Sequence, residues 1–538
     1  MSGSAQRTFR PSTTTVIERG SSVASLQAIP SICTPSGKRP VAVVICHGMG
    51  QQVPFETLEC VAEALRRSPD HPKLEVRTEV VRLGQLPPSG GKQAVDPVEL
   101  RRAEIDVPVN GDIERVHLYE GYWAPITEGR VALRDVFWFL FNAGRQGVTQ
   151  WFQRRRFDRW MFGQWNEYRV PLRTPAKLLA VVALLLALAA INAALVAVVG
   201  ARLIGTGAQW PGPTLFRALT SSVAISTLGM LLVGIGIRTP GLVRFLGPAF
   251  SSFLAWSLIF IGLTAIGFSG ASVVWDVVVD QVGGGQSTGW LGPSIGSLRG
   301  ASYVLTIGFL WGVPLVIAAV VRWFLVQYVG DVVAYISAHT VNRFQEIRQA
   351  IQKVTFALGS AVYRAVGEDG KPLYSHVVVV GHSLGSVVAY DMLNNLLNED
   401  RLDGEAAHVR ERTAMLLTFG SPLNKTAYLF RIQRSPGSEV RETMAAAVQP
   451  LIASAANRTM PWVNIYSRND WIGGPLDFYD TNPPDPKIRV DNLEDLDART
   501  PLAAHSEHWE NPLFASVLRR AIAGAKPGPR ENELPATA

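Results

Sequence analysis

The chain has 538 residues, of which 47% are hydrophobic and 18% are charged, and its formal net charge is +7. A basic chain can indicate a nucleic-acid partner, but no zinc-finger spacing or RNA-binding signature accompanies the charge, so we expect none. The three cysteines form no C-x-x-C pair, and Walker A, H-E-x-x-H and clustered metal ligands are all missing from the sequence. The sequence therefore predicts neither a cofactor nor a metal site.

The amino-terminal part predicts a disordered segment followed by a soluble domain. Residues 1–38 are rich in Ser, Thr and Pro and lack the apolar core of a signal peptide. The apolar run Val41–Cys46 predicts a buried strand, and residues 47–50, His-Gly-Met-Gly, then turn toward a helix that begins near Pro54. Another strand is predicted within Arg115–Ile126. We assign residues 39–150 to the first part of the domain.

The middle of the chain, residues 151–330, predicts a membrane region. Four uncharged apolar stretches are long enough to cross a bilayer as helices, at about residues 178–200, 218–237, 245–268 and 303–321. We expect Trp123 and the arginine-rich run Arg154–Trp160 to lie beside the membrane. The distribution of Lys and Arg in the flanks predicts a protein of the plasma membrane, which is the inner membrane in a bacterium, with both termini in the cytoplasm. Because four spans return the chain to the same side, the flanking segments can build one domain.

The pattern G-x-S-x-G occurs three times, around Ser287, Ser294 and Ser383. The first two serines fall in the Gly-rich loop predicted between the third and fourth spans, where no strand precedes and no helix follows. Ser383 instead follows the β-branched run His376–Val380, which predicts a buried strand, and precedes a helical pattern. Glycines on both sides allow a sharp strand-to-helix turn, and the start of the helix offers free N–H groups to a developing oxyanion.

This strand, turn and helix resemble the nucleophile elbow of the α/β-hydrolases. The segment Ala414–Leu423 similarly resembles the strand after the nucleophile in lipase-like members. The resemblance covers about Pro40–Leu65 and His376–Trp509 and is nearest to lipases and esterases. It implies an α/β-hydrolase fold, a mostly parallel sheet flanked by helices, in a discontinuous domain that residues 331–525 complete after the inserted four-helix membrane region. Residues 526–538 are expected to be a disordered tail.

The same resemblance implies a catalytic triad in the order Ser, Asp, His. Asp470 follows the predicted strand Trp462–Tyr466 and is the expected acid, with Asp477 as the alternative. His505 begins an A-H-S-x-x-W sequence similar to the histidine loop of lipase-like hydrolases and is the expected base. His508, where an aromatic residue is common, is the alternative base. Three carboxylates of the acidic sequence at residues 492–497 are expected on a solvated surface: Glu494, Asp495 and Asp497.

The early His-Gly-x-Gly sequence resembles the oxyanion loop of lipases. The resemblance implies that the backbone N–H groups of Met49 and Leu384 bind the oxyanion. The remaining residues of the two motifs are expected to shape the turns around these donors: His47, Gly48, Gly50, Gly381, His382 and Gly385.

These residues predict a membrane-anchored serine hydrolase that cleaves carboxylic esters through an acyl-enzyme. A site facing the inner side of a bilayer favours a lipid or acyl-lipid ester as substrate. Thioesterase, amidase and acyltransferase chemistry would use the same triad. The alternative from another class is a transporter or channel with a hydrolase-like cytoplasmic domain, which predicts ionisable residues within the spans, and the predicted spans contain no Asp, Glu, Lys or Arg. An inactive scaffold is the third possibility, although every required residue type is present in order.

Overall fold

The computed structural model describes residues 38–143, 156–171, 330–432 and 439–524, with gaps at 51, 68–74, 86–97, 110, 133, 137, 337–341 and 501–502, and six isolated positions between 232 and 261. The strands are β1 Val41–Cys46, β2 Val76–Leu83, β3 Val98–Val109, β4 Asp112–Gly121, β5 Arg156–Met161, β6 Gln164–Arg169, β7 Val377–His382, β8 Thr413–Phe419, β9 Trp462–Tyr466 and β10 Asp491–Glu494. The helices are α1 Glu56–Arg66, α2 Ala124–Thr127, α3 Gly330–Ile336, α4 Asn342–Tyr363, α5 Leu384–Leu402, α6 Val409–Arg412, α7 Leu423–Ile432, α8 Glu439–Ala447, α9 Pro450–Ala453, α10 Ala504–Glu507 and α11 Pro512–Ile522.

Eight of the strands form one mixed sheet in the order β10-β9-β8-β7-β1-β4-β3-β2. Every pair from β10 to β4 is parallel, whereas β3 runs antiparallel to both β4 and β2. Strand β1 pairs with β4 on one side and with β7 on the other, so residues from both sides of the predicted membrane region build the same sheet. The predicted α/β architecture with a mostly parallel sheet is therefore confirmed.

Helices cover both faces of this sheet, which explains why its central strands are apolar throughout. All six residues of β1 are buried. Ala42, Val44 and Cys46 point to a face where α4 and α5 pack, and the alternate residues point to a face where α1 and α11 pack. A parallel strand with both faces covered needs apolar side chains at every position rather than at every second one.

Two side chains that we expected beside the membrane are buried within the protein. Trp123 is completely buried, and its ring stacks on the His47 imidazole with a centroid separation of 4.5 Å. Arg159 lies in the β5–β6 hairpin, and its guanidinium stands 4.7 Å and 4.8 Å from the ring centroids of Tyr168 and Phe478. These aromatic faces stabilise the buried cation. The expectation was wrong for these two side chains, because an aromatic or basic residue near an apolar segment gives the same sequence pattern whether membrane or protein covers it. Arg154 and Arg155 lie outside the described residues.

The four predicted spans lie outside the described residues, apart from six isolated positions in the second and third. In the parts of the chain that the structure describes, no helix combines the length and the apolar composition needed to cross a membrane.

Candidate active site

Ser383 stands at the turn between β7 and α5 with backbone angles φ 54° and ψ −131°. A positive φ is unfavourable for a residue with a side chain, and such strain persists mostly at functional positions. Glycine is required on both sides of the serine because backbone atoms of neighbouring segments lie too close for a side chain. A Cβ on Gly381 would lie 2.5 Å from the Ser386 Cα, and a Cβ on Gly385 would lie 2.2 Å from the carbonyl oxygen of Cys46. The G-x-S-x-G pattern at this position therefore permits a turn that no larger residues would allow.

The turn lies where the strand order of the sheet reverses. Strands that precede the turn in the chain spread to one side of β1, and β7, β8, β9 and β10 follow one another on the other side. In open α/β sheets such a reversal leaves a crevice outside the carboxyl ends of the strands, where ligands bind. The ends of β1 and β7 meet there: a Cβ on Gly48 would come within 3.0 Å of the Ser383 Cβ.

An acid that follows another strand and a base from the short helix α10 meet at the same edge. Asp470 follows β9, and its Oδ2 accepts a hydrogen bond from the Nδ1–H of His505 at 2.9 Å. The other carboxylate oxygen, Oδ1, accepts the backbone N–H of Ile472 at 2.7 Å. Because Nδ1 carries the proton in this bond, Nε2 is left as the basic nitrogen of the neutral ring. Asp470 is completely buried, and His505 is 15% exposed.

The carboxylate of Asp470 stays charged although it is buried. Burial by itself would raise its pKa, but the charge and hydrogen bond of His505, the nearby His508 and the charge of Lys425 outweigh that effect and hold the pKa well below its usual range. Lys425 also fixes the loop that follows, since its Nζ donates to the carbonyl oxygens of residues 471, 472 and 473. The result is a fixed negative charge against the imidazole of His505.

Two glycines make room for this pair, and the sequence had not singled them out. Gly420 follows β8 with a φ of +55°, and a Cβ there would lie 3.0 Å from the His505 ring. A Cβ on Gly473 would lie 2.4 Å from the Asp470 Oδ2. The sequence Thr-Phe-Gly-Ser-Pro predicts the end of a strand. Only the folded chain shows that the His505 ring occupies the space beside its glycine.

Ser383 and His505 are neighbours that share no hydrogen bond. The Ser383 N–H donates to the carbonyl oxygen of Phe419, directly before Gly420, at 3.1 Å. His382, next to the serine, donates from Nε2 to the carbonyl oxygen of His505 at 3.0 Å. Within the described part of the chain, Ser383 Oγ and His505 Nε2 are both buried and have no hydrogen-bond partner. Contacts between nucleophile and base are commonly long without substrate and shorten in the reacting complex.

The loop after β1 is held from both sides. His47 donates from Nδ1 to the Gly48 carbonyl oxygen at 2.8 Å and accepts the Trp123 N–H on Nε2 at 2.9 Å, so its ring is neutral in a single tautomer. Burial lowers the pKa of His47 to about 4. Asp331 of α3 accepts the Gly50 N–H at 2.7 Å. This hydrogen bond occupies the N–H of Gly50. Met49 lies between Gly50 and Gly48, whose carbonyl oxygen is bound by His47.

Leu384 is the first residue of α5. The first N–H groups of a helix have no acceptor within the helix, and the helix dipole is positive at that end. Leu384 follows Ser383 directly, and α5 approaches β1 so closely that a Cβ on Gly385 would lie 2.2 Å from the carbonyl oxygens of Cys46 and His47. The turn and the loop thus bring two stretches of backbone together beside the serine.

A second histidine–carboxylate pair lies next to the pair of His505 and Asp470. His508 is completely buried, its Nδ1 donates to Asp495 Oδ2 at 2.8 Å, and its Nε2 lies 3.8 Å from Asp470 Oδ2. Asn511 donates to the same oxygen of Asp495 at 2.8 Å. Burial would lower the pKa of His508, but Asp470 and Asp495 together raise it to about 9. Asp495 is 3% exposed, so our expectation of a solvated surface was wrong for this residue.

The alternative acid, Asp477, does not contact His505. It is exposed in a short 3-10 turn, where its carbonyl oxygen lies 3.4 Å from Arg159 Nη1. The alternative base, His508, lies 3.8 Å from Asp470 and is hydrogen-bonded to Asp495 instead. Ser287 and Ser294 lie outside the described residues. The geometry therefore groups Ser383, Asp470 and His505 and separates them from the other candidates.

A cleft of about 410 Å³ borders the loop at Gly50 and is lined by Tyr122 and Asp331, but by none of the three grouped residues. Among the described residues, no cluster of three or more His, Cys, Asp or Glu side chains could hold a metal ion.

Compared with known proteins, the chain matches no protein-family model, no curated protein sequence and no solved structure.

Proposed function

We propose that the protein is a serine hydrolase of the α/β-hydrolase fold that cleaves carboxylic esters. The observation that carries the proposal is the hydrogen bond between His505 and Asp470 at the edge of the sheet where Ser383 occupies a strained strand-to-helix turn. The chain order Ser, Asp, His and a glycine-containing loop after the neighbouring strand β1 add support, because this fold uses both. The hydrogen bond joins residues 35 positions apart in the chain, so the fold rather than the local sequence brings them together.

In the proposed reaction, His505 Nε2 removes the proton of Ser383 Oγ as the oxygen attacks the ester carbonyl carbon. The N–H groups of Met49 and Leu384 bind the oxyanion that forms. When the tetrahedral intermediate collapses, the protonated His505 gives its proton to the leaving alcohol, and an acyl-enzyme remains. Water then attacks the acyl carbon, with the same base and the same donors, and releases the acid. Asp470 keeps the imidazole oriented and stabilises its protonated form.

We propose a lipid or acyl-lipid ester as the substrate class. The support comes from the four apolar stretches predicted between residues 178 and 321, which would anchor the hydrolase at the inner surface of a bilayer. A site at that position meets membrane esters at high local concentration. Short and long p-nitrophenyl esters, compared with matched thioesters and amides, would separate this class from the other reactions that the same triad performs.

The test is covalent labelling of the full-length protein in membranes by a fluorophosphonate probe, which reacts with activated serines. We expect the native protein to be labelled and Ser383→Ala not to be. The matched controls are Ser287→Ala and Ser294→Ala, which alter the same G-x-S-x-G pattern elsewhere in the chain and should be labelled like the native protein. Equal labelling of Ser383→Ala, or no labelling of folded native protein, would refute the proposal.

A further inference from the structure

The side chain of His508 lies between two buried carboxylates and has no exposed surface. Asp495, at the end of β10, binds its Nδ1 at 2.8 Å, while Asp470 lies 3.8 Å from its Nε2. The second distance is too long for a hydrogen bond but short enough for an ion pair. The two histidines therefore approach the same oxygen of Asp470, His505 with a hydrogen bond and His508 with charge.

The charged and titratable groups around His508 come from several elements of the fold. They are Asp495 after β10, Asp470 after β9, His505 on the preceding turn, His382 at the end of β7 and, acting on Asp470, Lys425 of α7. A buried ion without partners would cost several kcal/mol, so an imidazolium is stable here only because both carboxylates are ionised. In turn, two carboxylates separated by one ring can both remain ionised only if the ring between them is positive.

We infer that His508 is a positioning residue: an imidazolium fixed by Asp495 that balances the charge of Asp470 and thereby sets the lowest pH at which the His505–Asp470 pair works. This inference rests on the proposed function. Within the described part of the chain, His508 makes no hydrogen bond to Ser383 Oγ or to His505 Nε2, so it would act through Asp470.

The charges make the direction of the effect definite. Replacing His508 by glutamine removes the positive charge and leaves Asp470 and Asp495 uncompensated. Either Asp470 then takes up a proton more readily, which removes the acceptor of His505, or two negative charges make His505 retain its proton. Both outcomes require a higher pH for the base to act. Replacing Asp495 by asparagine in the same protein removes the second negative charge, so Asp470 returns to a balanced environment.

The experiment measures the rate at which the fluorophosphonate probe labels Ser383 in the full-length protein between about pH 5 and pH 9. For His508→Gln we expect the acid limb of the profile to move up by about one pH unit, the order produced by a unit charge within 4–6 Å of a carboxylate. For Asp495→Asn/His508→Gln we expect the limb to return to within about 0.3 units of the native position. Asn511→Ala, which removes a neutral hydrogen bond to Asp495, should leave the limb unchanged.

The outcomes are distinguishable from those of the proposed function. If labelling of the native protein does not depend on Ser383, both proposals fail. If native labelling depends on Ser383 but His508→Gln leaves the acid limb in place, or the double variant shifts it as far as the single one, only the role of His508 is overturned. If His508→Gln does not fold, the double variant provides the test. An acid limb that lies about one pH unit from the native position in that variant would refute the charge-balancing role of His508.

Discussion

Helix α5 lies very close to the backbone at the end of β1, and replacing Gly385 by alanine would disturb this contact. The new Cβ would lie 2.2 Å from the carbonyl oxygens of Cys46 and His47 and 2.7 Å from the carbonyl carbon of Cys46. All three are backbone atoms, so no side chain can turn away. The helix and the loop would have to separate by about 1 Å to reach ordinary contact distances.

The separation should affect activity more than stability. Overpacking of this kind destabilises a protein by about 1–3 kcal/mol. The same movement draws Leu384 away from Met49, and a displacement of about 1 Å in a positioned group costs on the order of 100-fold in rate. We therefore expect Gly385→Ala to fold but to react with the fluorophosphonate probe about 100-fold more slowly than the native protein.

The matched control is Gly474→Ala, in the loop after Asp470. A Cβ on Gly474 would meet nothing within 4 Å, so this variant should change the free energy of unfolding by less than about 0.5 kcal/mol and leave labelling intact. Labelling rates and urea unfolding are measured on the same preparations. A labelling rate for folded Gly385→Ala within about threefold of the native rate would show that the contact between α5 and β1 does not align the oxyanion donors.

Three other substitutions test single features of the site. Asp470→Asn should slow labelling by a factor on the order of 10⁴, because an amide does not hold His505 in the required tautomer, while the unfolding transition shows that the variant folds. Burial raises the pKa of Asp331 from 3.8 to about 6, so its contribution to stability falls as the pH rises between these values. Asp331→Asn, which can still accept the Gly50 N–H, should gain up to about 3 kcal/mol above pH 6 and nothing below pH 4, as measured by urea unfolding. Since the pKa of His47 is lowered to about 4, stability should fall as the pH drops from 6.5 to 4, and His47→Gln should show a flatter profile in the same assay.

Local features of the site could be predicted from the sequence because each depends on neighbouring residues. The run Val41–Cys46 is strand β1 with the same bounds, and the strand and helix around Ser383 are β7 and α5. An apolar β-branched run predicts a buried strand, and glycines at fixed spacing predict the turn that only they permit. The order of the triad residues along the chain then limited the acid and base to a few candidates.

Features that depend on distant contacts could not be predicted in this way. Asp495 lies among several acidic residues, a pattern typical of a solvated surface, and only the approach of His508 from the carboxyl-terminal segment buries it. Trp123 likewise gains its partner from a loop 76 residues earlier in the chain. Neither pairing leaves a periodic or spaced signal, because it is fixed by the order of strands in the sheet rather than by local conformation.

The two parts of the chain that flank the interval 172–329 build one fold. Val170, just before the interval, and Ile336, just after it, pack in one hydrophobic cluster with Tyr168 and Tyr428. The hydrogen bond between Gly50 and Asp331 and the pairing of β1 with β7 join the same two parts of the chain, so the candidate site needs both of them in one fold.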